Sequence, residues 1–253
     1  MLTAWLRSLL MKGSYFMTTS TLIFGHRGYP HKFMENSLDG FIYAIDHGVE
    51  GLEFDVHLTK DNMPVIMHDE RIDRTTDGKG RIQDYSLEEL RQFHLKDGQK
   101  IPTLRDLLTA ANQQPVYLNL EFKTNKIHYP HIEAIVLDMV RQYDLAYPVI
   151  YSSFNLDSLK IAYQLDPNQQ YCLLADHPIL NAKALIQKEH LSGLHLNHYQ
   201  ALGNVKERIW TVDDPRKQVK LLAEHVAGII TDNFEEAERV KNSERSQALE
   251  TGA

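Results

Sequence analysis

The sequence predicts an α/β fold in which eight parallel strands close into a barrel, a (β/α)8 TIM-type architecture. Three observations favour it: eight apolar strand-like segments, helical patterns between most of them, and a length of 253 residues. The strand-like segments lie at 22–25, 51–58, 116–122, 149–153, 170–174, 193–197, 208–213 and 227–231. Strands that alternate with helices favour a parallel sheet, and one closed barrel typically needs about 250 residues. No internal repeat or linker interrupts the pattern, so we expect one barrel domain over residues 22–240.

The first strand candidate ends at the loop residues Gly28 and Pro30, and a helix then begins with Asn36 or Ser37 as its N-cap. The later helical patterns lie at 131–143, 155–165, 178–190 and 215–226. One crossover, at 199–205, is too short for a full helix. We therefore expect a loop at that position of the barrel.

Residues 70–102 depart from the alternation of strands and helices. Ser86 and Glu89 have the spacing of a capping box, which predicts a short helix inside this segment. Thr103 then caps a helix at 104–111. We interpret 70–102 as a small insertion over the barrel mouth, after the second strand and its hairpin, where it would influence substrate selectivity.

The two ends of the chain carry no barrel pattern. Residues 1–21 precede the first strand, and leucines at helical spacing make residues 1–16 amphipathic. Membrane contact through residues 1–16 is one interpretation. The interpretation we favour is an upstream extension, with Met17 as the functional start. Residues 241–253 form a polar tail that we expect to fray.

The amino-acid composition limits which partners the protein can bind and which compartment it can occupy. The chain is 43% hydrophobic and 24% charged, as expected for a soluble globular protein with a sizeable core. Its formal net charge of −7 argues against nucleic acid as the main partner. The single cysteine, Cys172, lies in an apolar run and cannot form an internal disulfide, so nothing calls for an oxidising compartment. With no clear secretory signal, we expect a cytoplasmic protein.

The strand at 51–58 has one apolar and one acidic face. Its apolar side chains are Leu52, Phe54, Val56 and Leu58, and its polar ones are Glu53, Asp55 and His57. Carboxylates on so hydrophobic a strand are costly to bury unless their charge is compensated, and a hard divalent cation is the usual compensation. The alternative interpretation is a half-buried strand with a solvated polar face.

The pattern recurs at 117–123, where Asn119, Glu121 and Lys123 share one face. Two strands with acidic inner faces favour a barrel around a polar, metal-binding mouth. A hairpin follows the first of them. If Asp61 and Asn62 form a two-residue turn, His68 lies opposite Asp55 and approaches the carboxylates.

Eight short segments carry a further signal. They are His-Arg-Gly at 26–28, Glu-Asn-Ser at 35–37, Glu-Phe-Asp at 53–55, His-Asp at 68–69, Leu-Glu-Phe-Lys at 120–123, Ser-Ser-Phe at 152–154, Trp-Thr-Val at 210–212 and Ile-Thr-Asp at 230–232. In this order they resemble the motifs of glycerophosphodiester phosphodiesterases. The resemblance covers about residues 22–240 and implies a distorted barrel with an insertion after the second strand. The shortened 199–205 connection and the leading 21 residues depart from the family pattern.

The resemblance also implies roles for seven residues. His26 and His68 would be the acid/base pair, Arg27 and Lys123 would contact the phosphate, and Glu53, Asp55 and Glu121 would bind one divalent metal ion, Mg²⁺ or Ca²⁺. A small glycerophosphodiester would be the substrate. We expect His68 to be the leaving-group acid and His26 the base. The resemblance implies that the neighbouring glycerol hydroxyl attacks the phosphorus, giving a cyclic phosphate that water then opens. The sequence itself does not distinguish this route from attack by a metal-bound water.

Other residues and functions stay open on the sequence alone. His57 is a candidate for orienting a metal ligand, and Phe154 and Trp210 are candidates either for an apolar wall or for core packing. One alternative activity is lysophospholipase D-like hydrolysis of a lipid phosphodiester. Another is a barrel that binds phosphodiesters without cleaving them.

Overall fold

The structure, a computed structural model, describes residues 21–251 of the chain. The predicted N-terminal extension, including the amphipathic stretch at 1–16 and Met17, lies outside the described residues. None of the helices in the described part of the chain is long and apolar enough to cross a lipid bilayer.

Eight parallel strands close into a barrel, and a ninth lies beside it. The strands are β1 (Leu22–Gly25), β2 (Gly51–Leu58), β3 (Pro64–Ile66), β4 (Tyr117–Phe122), β5 (Ile150–Ser153), β6 (Gln170–Ala175), β7 (Gly193–Leu196), β8 (Glu207–Ile209) and β9 (Gly228–Thr231). Strand β1 pairs in parallel with both β2 and β9, which closes the ring. Among the strands of residues 21–251, β3 pairs with β2 alone, in antiparallel orientation, and lies outside the ring. The predicted TIM-type barrel is confirmed.

Helices surround the barrel. They are α1 (Leu38–Asp46), α2 (Leu87–Leu90), α3 (Leu104–Ala111), α4 (Ile132–Val140), α5 (Leu156–Leu165), α6 (Ala182–Lys188), α7 (Pro215–Ala223) and α8 (Phe234–Thr251). Between β7 and β8, residues 197–206 contain no helix, as predicted for 199–205. The Glu207 carboxylate holds this loop, since it accepts backbone hydrogen bonds from Gln200 and Leu202 at 2.8 Å each.

The barrel interior below the mouth is largely apolar. Phe24, Ile150, Cys172 and Ile230 form a buried cluster there. A Cβ atom at Gly51 would lie 2.4 Å from the Phe24 ring, so glycine at this position leaves the ring its room. The larger core lies between the strands and the helices. Two buried polar side chains also lie inside the barrel, since Arg208 Nη1 is 3.7 Å from Cys172 Sγ and 3.4 Å from His195 Nε2.

The segment after β3 has a small core of its own. It contains a 3₁₀ turn at Ile82–Asp84 and the short helix α2, which begins with the predicted capping box of Ser86 and Glu89. Its buried apolar residues are Val65, Met67, Ile72, Ile82, Leu90, Leu95 and Ile101. The segment is therefore a packed unit rather than a loose loop.

The predicted hairpin register is wrong by one residue. Val56 pairs with Ile66, and the backbone N–H of Met67, not His68, donates to the Asp55 carbonyl at 3.1 Å. The turn contains three residues instead of two, because Asn62 adopts a left-handed conformation with φ of 60°. His68 still reaches the mouth, since β3 ends at Ile66 and the chain bends after it.

The expectation that residues 241–253 fray is also wrong over most of its length. Helix α8 continues to Thr251. Lys241 anchors it from within the predicted tail, because its buried ammonium lies 2.6 Å from the Glu50 carboxylate at the start of β2. The polar composition of the segment concealed this contact.

Candidate active site

A cavity of about 250 Å³ lies at the carboxyl ends of the barrel strands. It is lined by His26, Arg27, Glu53, Asp55, His68, Asn119, Glu121, Phe154, Leu174, Trp210 and Ile230. Active sites of parallel α/β barrels lie at this face, because the loops that follow the strands meet there. The cavity brings together six of the seven predicted site residues. The seventh, Lys123, forms ion pairs with two of them.

Three buried carboxylates form the centre of the cavity. Glu53 and Asp55 project from β2 and Glu121 from β4, and strand register places Asp55 beside Glu121. One oxygen atom from each of the three lies within 4.8 Å of the others. Their exposed fractions are 6%, 1% and 6%. The predicted acidic inner face is therefore confirmed, and the alternative of a solvated polar face is wrong.

Crowding and burial shift the pKa of each carboxyl. Burial and the charge of Asp55 raise the pKa of Glu53 to about 7. Burial also raises the pKa of Glu121 to about 8, with Asp55 and Glu53 adding to the rise against the opposing charge of Lys123. Burial acts in the same direction on Asp55, but Lys123, His68 and Arg27 outweigh it, and the pKa of Asp55 falls well below its usual range. Without a cation, Glu53 and Glu121 therefore retain protons near neutral pH.

These residues fit a divalent metal ion. Carboxylate oxygens are the ligands that hard cations prefer, and a cation would replace the protons that Glu53 and Glu121 otherwise retain. Asn119, which lies beside Glu53 in strand register, also has a buried Oδ1 atom with no hydrogen-bond partner among the described residues. An unsatisfied buried oxygen in this position is compatible with a bound ion and its ligands.

Two cationic side chains border the carboxylates. Lys123 Nζ lies 3.2 Å from Asp55 Oδ1 and 2.9 Å from Glu121 Oε1. Arg27 Nη1 donates to Glu35 Oε1 at 2.9 Å, and its backbone N–H donates to Glu53 Oε2 at 3.0 Å. The turn at Arg27 and Gly28, with φ of 52° and 88°, is what directs this N–H toward the carboxylate. The site therefore offers positive charge on two sides of the acidic cluster.

His26 follows β1 and is held by an aspartate. Its Nδ1 donates to Asp232 Oδ1 at 2.6 Å, because a carboxylate can only accept. Its Nε2 lies 3.9 Å from Glu53 Oε2 and faces the cavity. Burial lowers the pKa of His26, but the bond to Asp232 and the charge of Glu53 outweigh it, so the pKa is raised overall.

His68 is held in a similar way from the other side of the mouth. Its Nδ1 donates to Asp69 Oδ1 at 2.7 Å. Arg74, from the segment after β3, donates to Asp69 Oδ2 at 2.7 Å and also binds Glu35. Burial lowers the pKa of His68, and the positive charges of Lys123 and Arg27 add to this effect, so the pKa is lowered overall.

His57 positions the backbone of His68 rather than a metal ligand. Its Nε2 lies 3.2 Å from the His68 carbonyl oxygen, and its Nδ1 lies 2.8 Å from the Tyr129 hydroxyl. A carbonyl can only accept, so Nε2 carries the proton and Tyr129 donates to Nδ1. Burial lowers the pKa of His57 to about 4, which keeps the ring neutral.

Several functional neighbours lie in the quoted motifs but received no role from the sequence. Of the two predicted N-cap candidates, Ser37 caps α1, and Asn36 has a role in the site that the sequence did not assign, since its Nδ2 donates to Asp55 Oδ2 at 2.8 Å. Asp69 and Asp232 orient the two histidines. Arg74 gave no signal, because an arginine in an insertion is usually solvated and its partners come from other segments.

The opposite side of the cavity is apolar. Phe154 follows β5 and Trp210 follows β8, and their rings meet edge to face at 5.7 Å and 86°. Leu174 and Ile230 complete this wall. Phe154 and Trp210 are therefore wall residues of the cavity, one of the two roles the sequence allowed.

The fold and the site together define an α/β-barrel hydrolase with a candidate metal centre. A family model described as "Glycerophosphoryl diester phosphodiesterase family" matches residues 26–236. The chain belongs to this family.

Relatives and solved structures agree with this assignment. The glycerophosphodiester phosphodiesterase of Caldanaerobacter subterraneus subsp. tengcongensis is 32% identical over 231 residues, covering 85% of this chain and 95% of the relative. The Bacillus altitudinis enzyme of the same name is 30% identical over 241 residues, covering 87% and 98%. The Thermotoga maritima glycerophosphodiester phosphodiesterase superimposes with a TM-score of 0.71 at 30% identity, over 85% of this chain and 96% of that one. An Oleispira antarctica phosphodiesterase in complex with the product sn-glycerol-3-phosphate gives 0.81 at 25% identity, over 88% and 97%.

Proposed function

We propose that this protein hydrolyses glycerophosphodiesters to an alcohol and sn-glycerol 3-phosphate with the help of one divalent metal ion. The observation that carries the proposal is a buried cluster of three carboxylates set between two cationic side chains and two histidines. The activities named for the Caldanaerobacter and Bacillus relatives support it, as does the product bound to the Oleispira enzyme.

Glu53, Asp55 and Glu121 would hold the ion, which we propose to be Mg²⁺ or Ca²⁺. When bound, the ion supplies fixed positive charge for the phosphate oxygens. Cleavage of a phosphodiester needs such charge, because one oxygen arrives at phosphorus while another leaves. Arg27 and Lys123 border the same carboxylates, so their charges would contact the phosphate.

The two histidines would move the protons. The surroundings of His26 are anionic, since Nδ1 is bonded to Asp232 and Nε2 approaches Glu53. Burial lowers the pKa of His68, and the charges of Lys123 and Arg27 lower it further against the opposing charge of Asp55, while Arg74 pairs with its partner Asp69. We therefore assign His26 as the acid that protonates the departing alcohol and His68 as the base that takes the proton of the attacking hydroxyl. This order is the reverse of the one expected from the sequence. A cation on Glu53 would weaken that carboxylate's pull on His26, but the Asp232 bond would remain.

Turnover of glycerophosphocholine tests the proposal. The protein, stripped with excess chelator and confirmed to contain no metal, should be inactive, and Mg²⁺ or Ca²⁺ should restore release of choline and sn-glycerol 3-phosphate. Full activity in the metal-free protein would refute the metal assignment. Phosphodiester binding without turnover, at any divalent ion, would favour the non-catalytic alternative.

A further inference from the structure

The connection between β4 and α4 contacts the segment that carries His68. This connection, residues 123–131, includes Tyr129, which is 3% exposed and packs edge to face on the His57 ring at 5.6 Å and 77°. Pro130 follows it, and a residue before proline is restricted to extended backbone conformations. The Tyr129 hydroxyl donates to His57 Nδ1 at 2.8 Å and has no other hydrogen-bond partner among the described residues. The hydroxyl therefore acts on the site through His57.

The Tyr129 hydroxyl decides which nitrogen of His57 carries the proton. A neutral imidazole has one N–H donor and one acceptor nitrogen. With Nδ1 occupied as the acceptor, Nε2 carries the proton and donates to the His68 carbonyl oxygen at 3.2 Å. Without the hydroxyl, the proton would be free to move to Nδ1, and the Nε2 lone pair would then face the carbonyl oxygen and repel it. The hydrogen bond to the His68 backbone therefore depends on Tyr129.

This backbone contact lies where the β-ladder has ended. Strand β3 ends at Ile66, and the backbone N–H of Met67 still bonds to β2. One residue further, the His57 side chain holds the His68 carbonyl to β2, while Asp69 holds the His68 ring at Nδ1. Proton transfer is sensitive to such placement, since a shift of about 1 Å in a reacting group costs on the order of a hundredfold in rate. The contact from His57 thus bears directly on the position of the His68 ring.

A second contact of the same connection is weaker. Lys126 Nζ lies 3.2 Å from the carboxylate of Glu70, two residues after His68, but the Lys126 side chain is 68% exposed. An ion pair this exposed contributes little, because water already solvates both charges. The contact between Tyr129 and His57 is buried and makes a directed hydrogen bond. We therefore expect this contact, and not the ion pair, to hold His68.

We propose that Tyr129 is a positioning residue for proton transfer at His68, and that it acts by fixing the tautomer of His57. This inference rests on the proposed function, since it requires His68 to take part in the reaction. It holds whether His68 is the base or the acid. Strand β4 would then supply Glu121 and Lys123 to the metal and the phosphate, and the connection that follows it would orient a histidine from another segment.

Tyr129→Phe tests the inference, because it removes the hydroxyl and keeps the ring. We expect kcat for glycerophosphocholine to fall about tenfold, while KM and the calorimetric affinity for the activating Mg²⁺ or Ca²⁺ stay within about twofold. Tyr171→Phe is the matched control, because the buried Tyr171 hydroxyl donates to the carbonyls of Ala162 and Asp166 at the end of α5. Both variants should lose thermal stability, but Tyr171→Phe should keep native kcat. Lys126→Gln, from the same connection as Tyr129, should also keep it.

A double-mutant cycle separates positioning from a general loss of stability. In the His68→Ala background, Tyr129→Phe should have no further effect on kcat, because the group that it positions is absent. His57→Gln retains an amide donor for the carbonyl and should lose less kcat than His57→Leu, which has none. This second pair of variants tests the same contact if Tyr129→Phe does not fold.

Three results would overturn the inference and leave the proposed function intact. They are native kcat in Tyr129→Phe, independent losses of kcat from Tyr129→Phe and His68→Ala, and equal losses in His57→Gln and His57→Leu. Failure of the native protein to cleave glycerophosphocholine with metal present would instead overturn the proposed function and the inference together.

Discussion

Two histidine–aspartate pairs flank the acidic cluster, and they differ in what surrounds the aspartate. At the carboxyl ends of β1 and β9, which we call the first corner, the Asp232 carboxylate binds His26. Among the described residues, Asp232 forms an ion pair with His26 alone. In the chain after β3, which we call the second corner, Asp69 binds His68 but also accepts two hydrogen bonds from Arg74. The first histidine has a raised pKa and the second a lowered one.

The difference shows that a histidine–carboxylate contact does not by itself fix the ionisation of the ring. Burial lowers the pKa of both rings, and the neighbouring charges decide the net direction. Asp232 and Glu53 raise the pKa of His26, whereas Lys123 and Arg27 lower that of His68 against the opposing charge of Asp55. Arg74 comes from the segment between β3 and α3, so this insertion takes part in setting the charge of one catalytic corner. We therefore expect His26 and His68 to respond differently when their aspartate partners are substituted.

The largest loss of activity should follow a substitution in the cluster of three carboxylates that lies between the two histidines. Glu121→Gln keeps the shape of the side chain but removes one metal ligand, and Glu121 forms no ion pair with either histidine among the described contacts. We expect kcat/KM to fall on the order of a thousandfold, because a bound metal supplies several kcal/mol of transition-state stabilisation. The fold should persist, since mutual repulsion among the carboxyls is relieved. Thermal melting with and without divalent ion should show stabilisation of the native protein only.

Glu238→Gln is the matched control for that variant. Burial likewise raises the pKa of Glu238 to about 7, but this carboxyl lies on α8 beside Glu50, at the other end of the barrel. Its loss should leave turnover unchanged. Equal loss of activity in the two variants would mean that Glu121 acts through folding and not through a metal site.

A smaller effect should separate the two aspartates by pH. Asp232→Asn removes a charge that raises the pKa of His26. If His26 is the acid, activity falls as pH rises through that pKa, so the alkaline limb of kcat/KM should move to lower pH. Asp69→Asn lowers the pKa of His68, and the acid limb should move to lower pH instead. Each variant should lose about tenfold at the optimum. If the same limb of the pH profile of kcat/KM moves in both variants, the assignment of His26 as acid and His68 as base is wrong.

The smallest effect should come from Arg74→Gln. Freed from this arginine, Asp69 would pull more strongly on His68, so the pKa of His68 should rise and the acid limb should shift to higher pH. On the alkaline side of the profile, kcat/KM should stay within about threefold of the native value. Arg71→Gln is the control, since Arg71 lies in the same segment but pairs with the exposed Asp73. An unchanged acid limb in Arg74→Gln would show that the insertion does not tune His68.

Much of the fold could be predicted because it follows from short-range rules. Side chains alternate along a strand, so Glu53 and Asp55 had to share a face opposite Phe54. Parallel strands in register then bring Glu121 to the same mouth. The missing helix after β7 followed from the length of the connection alone.

The rest depended on long-range contacts that local patterns do not contain. The hairpin register depends on the left-handed conformation of one residue, Asn62. Helix α8 is anchored by Lys241 and Glu50, which are 191 positions apart. Arg74 reaches Glu35 across 39 positions and Asp69 across five. For the same reason, the sequence placed both histidines in the site but gave no basis for their ionisation.

The most direct test of the division between the corners is the response of His26→Ala and His68→Ala to the leaving group. Loss of one proton-transfer group typically costs a hundred- to ten-thousand-fold in rate, so both variants should fall in about this range on glycerophosphocholine. A glycerophospho-p-nitrophenyl ester departs without needing a proton. His26→Ala should therefore recover most of its rate on that ester, while His68→Ala should remain impaired. Recovery by His68→Ala alone would reverse the two roles, and equal impairment of both variants on both substrates would contradict the division into acid and base.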